Sequence, residues 1–235
     1  MSELATPIKN VPTHLGLILD GNRRWAKEHG IPSLEGHKRG YQRLKKIAIA
    51  AFDMKIKYVS AYVFSVENWK RSKEEVEYLM SLLLWVSKVE TKKLNKKNIC
   101  VKFVGSKNGL SKEILKAMED AEFKTKDNDG GTLALCLNYG GQQEIADAVK
   151  KIIEQGIKAE DVTPDLIQKN MYEPDMPKPD LIIRTSGEQR LSGFLLWESA
   201  YSELKFINKH WPAFTIKDLE KAIEDYDQRE RRYGK

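Results

Sequence analysis

The chain holds only two cysteines, Cys100 and Cys136, and no run of about 18 apolar residues. Neither cysteine has a second Cys or His at ligand spacing, which argues against a zinc ribbon and a disulfide framework. They read as buried thiols in a reducing compartment. The N-terminus, Met-Ser-Glu-Leu-Ala-Thr-Pro, lacks the basic and apolar regions of a signal peptide, so a cytoplasmic protein without a membrane span is expected. Also missing are G-x-x-x-x-G-K-[ST] and a G-x-G-x-x-G after the first apolar run, which argues against a P-loop nucleotidase and a dinucleotide-binding fold. There is no D-D-x-x-D run of the kind with which all-helical prenyl synthases hold magnesium.

What is present is an ordinary folding composition. The 235 residues are 41% hydrophobic and 31% charged, away from disordered or collagenous chains. With 40 Lys+Arg against 34 Asp+Glu the net charge is +6, which favours anionic partners without choosing among nucleic acid, membrane surface and phosphorylated metabolites.

Short apolar runs alternate with amphipathic stretches, the pattern of βα units in a parallel sheet. Six strands are expected, at His14 to Leu19, Lys57 to Phe64, Asn98 to Val104, Thr132 to Asn138, Asp180 to Thr185 and Ser202 to Ile207. Most are continuous rather than alternating, as in strands covered on both faces. Helices are expected at Tyr41 to Phe52, Lys73 to about Lys96, Ser111 to Phe123, Gln142 to Glu154 and Ile216 to about Arg232. No linker, repeat or low-complexity tract divides the chain, so residues 1–235 read as one α/β domain, with a stiff Pro-rich connection from Glu173 to Pro179.

Three clusters carry chemistry. The first strand runs into Asp20-Gly-Asn-Arg-Arg-Trp-Ala-Lys27, a carboxylate at a strand's carboxyl end followed by a helix start. Ligands of open α/β sheets bind there. Arg23 and Arg24 in the first helical turn oppose the helix dipole, which makes sense where an anion sits between them. Asp20 is then a natural Mg²⁺ ligand, although a simple helix cap accounts for it too. The second cluster, Ser65-Val-Glu-Asn-Trp-Lys-Arg71, puts Glu67, Asn68 and Trp69 in a turn too rich for a plain connector. A capping box over Ser72 and Glu75 explains only its end. The third, Arg184-Thr-Ser-Gly-Glu-Gln-Arg-Leu-Ser192, is a second anion cradle in which Arg184 and Arg190 can make bidentate phosphate contacts. Two such sites on one sheet edge suggest two phosphorylated substrates. Glu203 could supply another metal carboxylate, and His37 another phosphate donor.

With His14–Ala26, Gly36-His-Lys-Arg-Gly40, Phe64–Arg71, Asn138-Tyr-Gly-Gly141, Ile183–Ser192, Phe194-Leu-Leu-Trp197, Tyr201-Ser-Glu-Leu204 and Arg229-Glu-Arg-Arg232 in family order, the chain resembles the cis-prenyltransferase family, most nearly its bacterial undecaprenyl diphosphate synthases. The resemblance implies a homodimer of single domains, each with a six-stranded, mainly parallel sheet flanked by helices and an apolar tunnel. It implies Mg²⁺-dependent condensation of isopentenyl diphosphate onto an allylic diphosphate such as farnesyl diphosphate. The expected product is a long-chain polyprenyl diphosphate such as undecaprenyl diphosphate, the lipid carrier for cell-wall glycans, handed to the inner face of the membrane. Asp20 resembles the essential metal-binding carboxylate and Glu203 the second metal-associated acid. Gly21, Asn22, Arg24 and His37 resemble the allylic diphosphate site, joined in the expected substrate-binding set by Arg23, Trp25, Ser33 and Glu67. Ser65, catalytic Asn68, Trp69 and Arg71 resemble the loop that orients both substrates. Arg184, Arg190 and Ser192 resemble the isopentenyl diphosphate site, and Arg229 to Gly234 the segment that reaches the partner subunit.

The long helix from Lys73, which pattern alone assigns to core packing, becomes a candidate tunnel wall. The chain departs from the family at Ser33, where an arginine is common and whose phosphate contact would pass to Arg23, Lys38 or Arg39. It departs also at Gln189 for histidine, Val66 for serine, and Gly131 for a bulky tunnel-floor residue. Two other readings are weaker. A nucleic-acid-binding module sits poorly with lysines interleaved by acids and arginines gathered at strand ends. A catalytically silent partner subunit sits poorly with Asp20, Asn68, Arg184 and Arg190 all present.

Overall fold

The computed structural model describes residues 9–229. All six expected strands form, within two residues of their expected ends: β1 (His14–Ile18), β2 (Tyr58–Ser65), β3 (Cys100–Val104), β4 (Thr132–Tyr139), β5 (Leu181–Thr185) and β6 (Glu203–Ile207). They make one sheet in the order β3-β4-β2-β1-β5-β6, and every pairing is parallel. β1 and β5 are buried along their whole length, which is why His-Leu-Gly-Leu-Ile and Leu-Ile-Ile-Arg-Thr read as unbroken runs.

Helices cover both faces. They are α1 (Asn22–Glu28), α2 (Ser33–Asp53), α3 (Lys73–Trp85), α4 (Thr91–Lys96), α5 (Lys112–Thr125), α6 (Gly141–Glu154), α7 (Pro164–Asn170) and α8 (Ile216–Asp227). One core joins Leu15, Leu17, Val59 and Ile183 of the sheet to Leu44, Ile47 and Ala51 of α2, with Trp211, Phe214, Leu219 and Ile223 packed in. The opposite face joins Ile18, Ala134, Cys136, Tyr139 and Ile182 to Phe194 and Leu195. A third cluster, Phe64, Leu83, Ile114, Met118 and Leu137, lies among β2, β4, α3 and α5. Both cysteines are buried and free.

Three helical expectations change. α2 begins at Ser33 rather than Tyr41, because its first two turns carry buried Gly36 and Gly40 where a periodicity count looks for large apolar residues. The long helix from Lys73 breaks at Val86–Glu90 into a wider π turn, which separates α3 from α4. α8 ends at Asp227, with Gln228 as its C-cap, rather than near Arg232. Of the stretch Arg229 to Gly234, expected to reach a partner subunit, all but Arg229 lies outside the described residues. Among the described residues no helix is long and apolar enough to cross a membrane.

Candidate active site

Strand order decides where the site lies. The chain leaves β1 toward β2 on one side and later returns to β5 on the other, so a crevice opens beyond the carboxyl ends of β1 and β5. Asp20 stands at that point. Its backbone carbonyl accepts hydrogen bonds from Thr185 Oγ1 at 2.7 Å and from the Trp211 N–H at 3.0 Å. The Asp20 side chain caps no helix: the N-cap of α1 is Gly21, in the left-handed region at φ 101°. Instead, Oδ2 accepts from Arg184 Nη2 at 2.8 Å and Oδ1 from Arg24 Nη2 at 3.1 Å. Burial alone would raise the pKa of Asp20, but Arg184 and Arg24 together hold it below the ordinary carboxylate value.

Arg184 is 5% exposed, and each of its two terminal nitrogens has a partner. Its Nη1 donates to the Arg190 carbonyl at 2.5 Å and to Ser192 Oγ at 2.8 Å, tying down the loop after β5. Glu188 on that loop accepts from Arg24 Nη1 at 3.1 Å and Arg190 Nη1 at 2.7 Å. The two arginine clusters read separately from the sequence are therefore joined by Asp20 and Glu188.

A chain that composition did not reveal braces Gly21. Ser186 Oγ meets His210 Nδ1 at 2.5 Å, and His210 Nε2 meets Glu28 Oε1 at 2.9 Å. A carboxylate only accepts, so the Nε2–H donates to Glu28, while Nδ1 is hydrogen-bonded to the Ser186 hydroxyl. Residues from β5's end, the loop before Trp211 and α1 are thus linked over the turn.

Beside Asp20 an open cleft is lined by Gly21, Asn22, Arg23, Arg24, Ser33, His37 and Arg71, all expected site residues, and also by Lys27 and Ile31. Ser33 sits at the first position of α2. Of the cations that might replace its missing arginine, Lys38 and Arg39 pair with Glu35 at 3.9 and 3.3 Å, while Arg23 lines the cleft. Trp25 is not among the lining residues; it stacks on His29 with ring centroids 4.0 Å apart, and Arg39 lies over it at 5.6 Å.

The loop after β2 forms one 3₁₀ turn, Val66–Lys70, preceded by register shifts between β2 and β4. The Ser65 N–H donates to Asn68 Oδ1 at 3.1 Å. Trp69 Nε1 donates to Asn138 Oδ1 at 2.7 Å, an anchor beyond the expected set. Glu67 is exposed on the turn. Ser72 does cap α3, accepting the Glu75 N–H at 3.3 Å, but the Glu75 carboxylate closes no capping box and goes to Arg71, His37 and Arg23.

Against the same region lies a narrow apolar cavity walled by Leu79 and Leu83 of α3, Phe64, Leu135 and Leu137 of the sheet, and Leu44 of α2. The cleft and the cavity share Leu19, Asn22, His37 and Arg71.

Glu203 is not brought to Asp20 within the chain. It opposes Leu181 at the amino end of the sheet and is paired with Arg229, whereas Asp20 follows the carboxyl end of β1. From the register the two are separated by about five residues of strand, roughly 16 Å. Among the described residues no three His, Cys, Asp or Glu gather as a metal site. The donor set still suits a hard cation held by one carboxylate and by phosphate oxygens, with Asp20 ionised and half-buried on the cleft.

Residues 18–234 match the model of the family described as "Putative undecaprenyl diphosphate synthase". The chain is 48% identical to the isoprenyl transferase of Thermotoga maritima, covering 95% of this chain and 97% of that one. It is 44% identical to the isoprenyl transferase of Clostridium acetobutylicum, over 96% and 90%. Its fold superposes with TM-score 0.91 and 33% identity on lavandulyl diphosphate synthase from Lavandula x intermedia in complex with dimethylallyl diphosphate, covering 96% of this chain and 99% of that one. A probable undecaprenyl diphosphate synthase from Campylobacter jejuni gives 0.81 and 28%, over 97% and 100%. A parallel sheet with a cationic cleft at its switch point and these likenesses over nearly the whole chain agree: the chain belongs to the undecaprenyl diphosphate synthase family of cis-prenyltransferases.

Proposed function

We propose that the protein elongates an allylic diphosphate, such as farnesyl diphosphate, by condensing isopentenyl diphosphate onto it with cis geometry, giving a long-chain polyprenyl diphosphate. The observation that carries this reading is the shared wall of cleft and cavity: a diphosphate held by Arg23, His37 and Arg71 has its hydrocarbon tail at the mouth of an apolar cavity. Each buried methylene favours that route by about 0.8 kcal/mol.

The allylic diphosphate lies in the cleft, and the isopentenyl diphosphate lies on the Arg184–Ser192 loop across Asp20. The alkene of the isopentenyl unit attacks the allylic carbon as its C–O bond to diphosphate breaks, and a proton then leaves the isopentenyl unit to restore a double bond. Asp20 would hold a Mg²⁺ ion, which would supply charge neutralisation to the departing diphosphate. Arg24 lies 3.1 Å from Asp20 and shares its carboxylate with Arg184, so the cationic donors are already aimed at the region where negative charge develops. Asn68, which lines the cavity and accepts from the Ser65 N–H, and Trp69, anchored on Asn138, orient the chain. The protein with Mg²⁺, farnesyl diphosphate and labelled isopentenyl diphosphate is expected to give butanol-extractable product; no incorporation with any allylic primer overturns the reading.

A further inference from the structure

We propose that the outer face of the π turn and α4, made of Trp85, Val89 and the lysines around them, docks the protein on an anionic lipid bilayer. This rests on the reading of the product as a long hydrocarbon diphosphate. α3, the π turn and α4 run on as one helical path, with Val86 and Glu90 in right-handed helical backbone at the joins. Val86, Ser87, Glu90, Thr91 and Leu94 are buried on its inner side. Trp85, Lys88, Val89, Lys92, Lys93 and Lys96 are exposed, Trp85 at 44% and Val89 at 42%. Residues 85–97 hold five lysines against one glutamate. That glutamate, Glu90, is 1% exposed and paired inward with Lys45 at 2.6 Å and Lys93 at 2.5 Å. The outer face therefore carries no acid of its own. Lys88 meets Glu113 of α5 at 2.7 Å, but among the described residues Lys92, Lys96 and Lys97 have no carboxylate within 4.0 Å.

Lysines in the last turn of a short helix have an ordinary use, because they complement its dipole. That use accounts for neither the bare Val89 nor the exposed indole of Trp85, which Tyr41 holds edge-on with ring centroids 5.8 Å apart. An apolar pair among unpaired cations matches a bilayer surface. The ammonium groups meet lipid phosphates, while the indole suits the boundary between headgroups and acyl chains. A nucleic-acid backbone would use the lysines but gains nothing from Val89. Position points the same way. The apolar cavity follows α3 from Leu79 to Val86, and about 20 Å of helix separate Val86 from Lys73, beside the cleft residue Arg71. Val86 faces in where Trp85 and Val89 face out, so the docking face stands over the end of the cavity remote from the cleft. Docking brings that end against the bilayer that receives the hydrocarbon product, while diphosphates still reach the open cleft from water.

The test sediments the full chain with vesicles of phosphatidylcholine, with and without phosphatidylglycerol. Binding to the anionic vesicles is expected, and it weakens as salt rises. The triple variant Lys92→Ala, Lys96→Ala, Lys97→Ala is expected to bind them about a hundredfold less tightly, at roughly fivefold per lysine. These side chains line neither cleft nor cavity, so isopentenyl diphosphate turnover without vesicles should stay at the natural level. The emission of Trp85, taken as the difference between the natural chain and Trp85→Phe, is expected to move to shorter wavelength on the vesicle. Adsorption through another face would leave it unmoved. Equal binding to phosphatidylcholine alone, undiminished binding of the triple variant, or an unmoved Trp85 emission overturns the docking face. So does duplex DNA that binds more tightly than the anionic vesicles and is lost in the triple variant, which would make this a nucleic-acid face. A chain that condenses isopentenyl diphosphate but binds no anionic vesicle defeats the docking face alone. One that binds through this face yet incorporates none with any primer supports the surface and defeats the reading of the product.

Discussion

Arg184 holds Asp20. Its buried guanidinium places Nη2 at 2.8 Å from Oδ2, so the carboxylate at the switch point is also the partner of a 5% exposed cation. Loss of that carboxylate therefore has two effects. Asp20→Ala is expected to lower kcat by about a thousandfold or more, the loss of several kcal/mol of charge stabilisation at the leaving diphosphate. It also strands Arg184, whose Nε already lacks a partner. A buried charge without its partner costs about 3–5 kcal/mol, so a clear fall in Tm is expected together with the fall in rate. Asp20→Asn keeps an acceptor for Arg184 and is expected to regain most of the stability but not the rate. Steady-state kinetics and thermal melts on both variants separate the two effects. Near-normal kcat in Asp20→Ala rules out the assigned role.

Gly21 has no freedom to carry a side chain. At φ 101° an L-residue is strained, and a Cβ there would stand 2.0 Å from Ser186 Oγ and 2.5 Å from His210 Nδ1. Gly21→Ala is expected to destabilise the fold by about 2–3 kcal/mol and to open the Ser186–His210–Glu28 chain. His210→Ala in the Gly21→Ala background should then cost less than in the natural chain, because the contact it removes is already disturbed. A thermal melt of the four proteins checks this; strict additivity would disconnect the turn from its brace.

The sheet and the first rank of site residues were legible because they leave local marks. β1 and β5 are continuous apolar runs, and Asp20, Asn68 and Arg184 sit at strand ends where glycine and polar residues cluster. What the sequence could not show is made by segments far apart in the chain. His210 and Glu28 are 182 residues apart, yet bonded. Glu75 looked like a capping-box residue because a local pattern sees Ser72 three residues away and not His37 in another helix. The early start of α2 was hidden for a different reason: Gly36 and Gly40 are buried by close approach to Asn22, with a Cβ at either meeting Asn22 atoms at 2.4 and 2.2 Å. Tight packing of glycine against a polar residue has no hydrophobic signature. Glu203, finally, was expected as a metal carboxylate from its residue type and from the resemblance, while the register within the chain sets it at the other end of the sheet from Asp20.

On the face of the sheet away from the cavity, two carboxyls share a buried space. Glu198 is 2% exposed with Oε2 lacking a partner, and burial together with Glu144 pushes its pKa up to about 7 from 4.5. Glu144, held by the Tyr139 hydroxyl at 2.5 Å and the Tyr172 N–H at 2.9 Å, is also raised. In the unfolded chain Glu198 releases its proton near pH 4.5, but in the folded chain only near 7. Between those values the folded state binds more protons, so stability falls as pH rises through the window. The full difference amounts to at most about 3 kcal/mol. Glu198→Gln removes it. The variant is expected to match the natural chain near pH 4.5 and to melt about 6 °C higher at pH 8. Equal melting temperatures at pH 8 would show that Glu198 ionises freely in the folded protein.

The last prediction concerns the far end of α2. Gly131, where the family often carries a bulky residue, has φ 144°, and a Cβ there would stand 2.4 Å from Cδ1 of Phe52. Phe52 is 9% exposed and packs in the same core as Leu44, which walls the cavity two turns earlier along the helix. The ring on α2 therefore occupies the space that a bulky residue before β4 would fill. Gly131→Leu alone is expected to destabilise by clash and backbone strain, and Phe52→Ala alone by about 3–5 kcal/mol through an empty cavity. Combined, the new leucine enters the space of the lost ring, and the pair should be about 1–2 kcal/mol more stable than the sum of the single changes predicts. Strain at φ 144° remains, so recovery is incomplete. Denaturant melts of the four proteins measure the coupling. If Phe52 also closes the path of the growing chain, mass analysis of products from Phe52→Ala should show a shift to longer polyprenyl diphosphates, and the double variant should move back toward the natural length. A stability coupling without any change in product length would confine Phe52 to packing and place the end of the path nearer to Leu44.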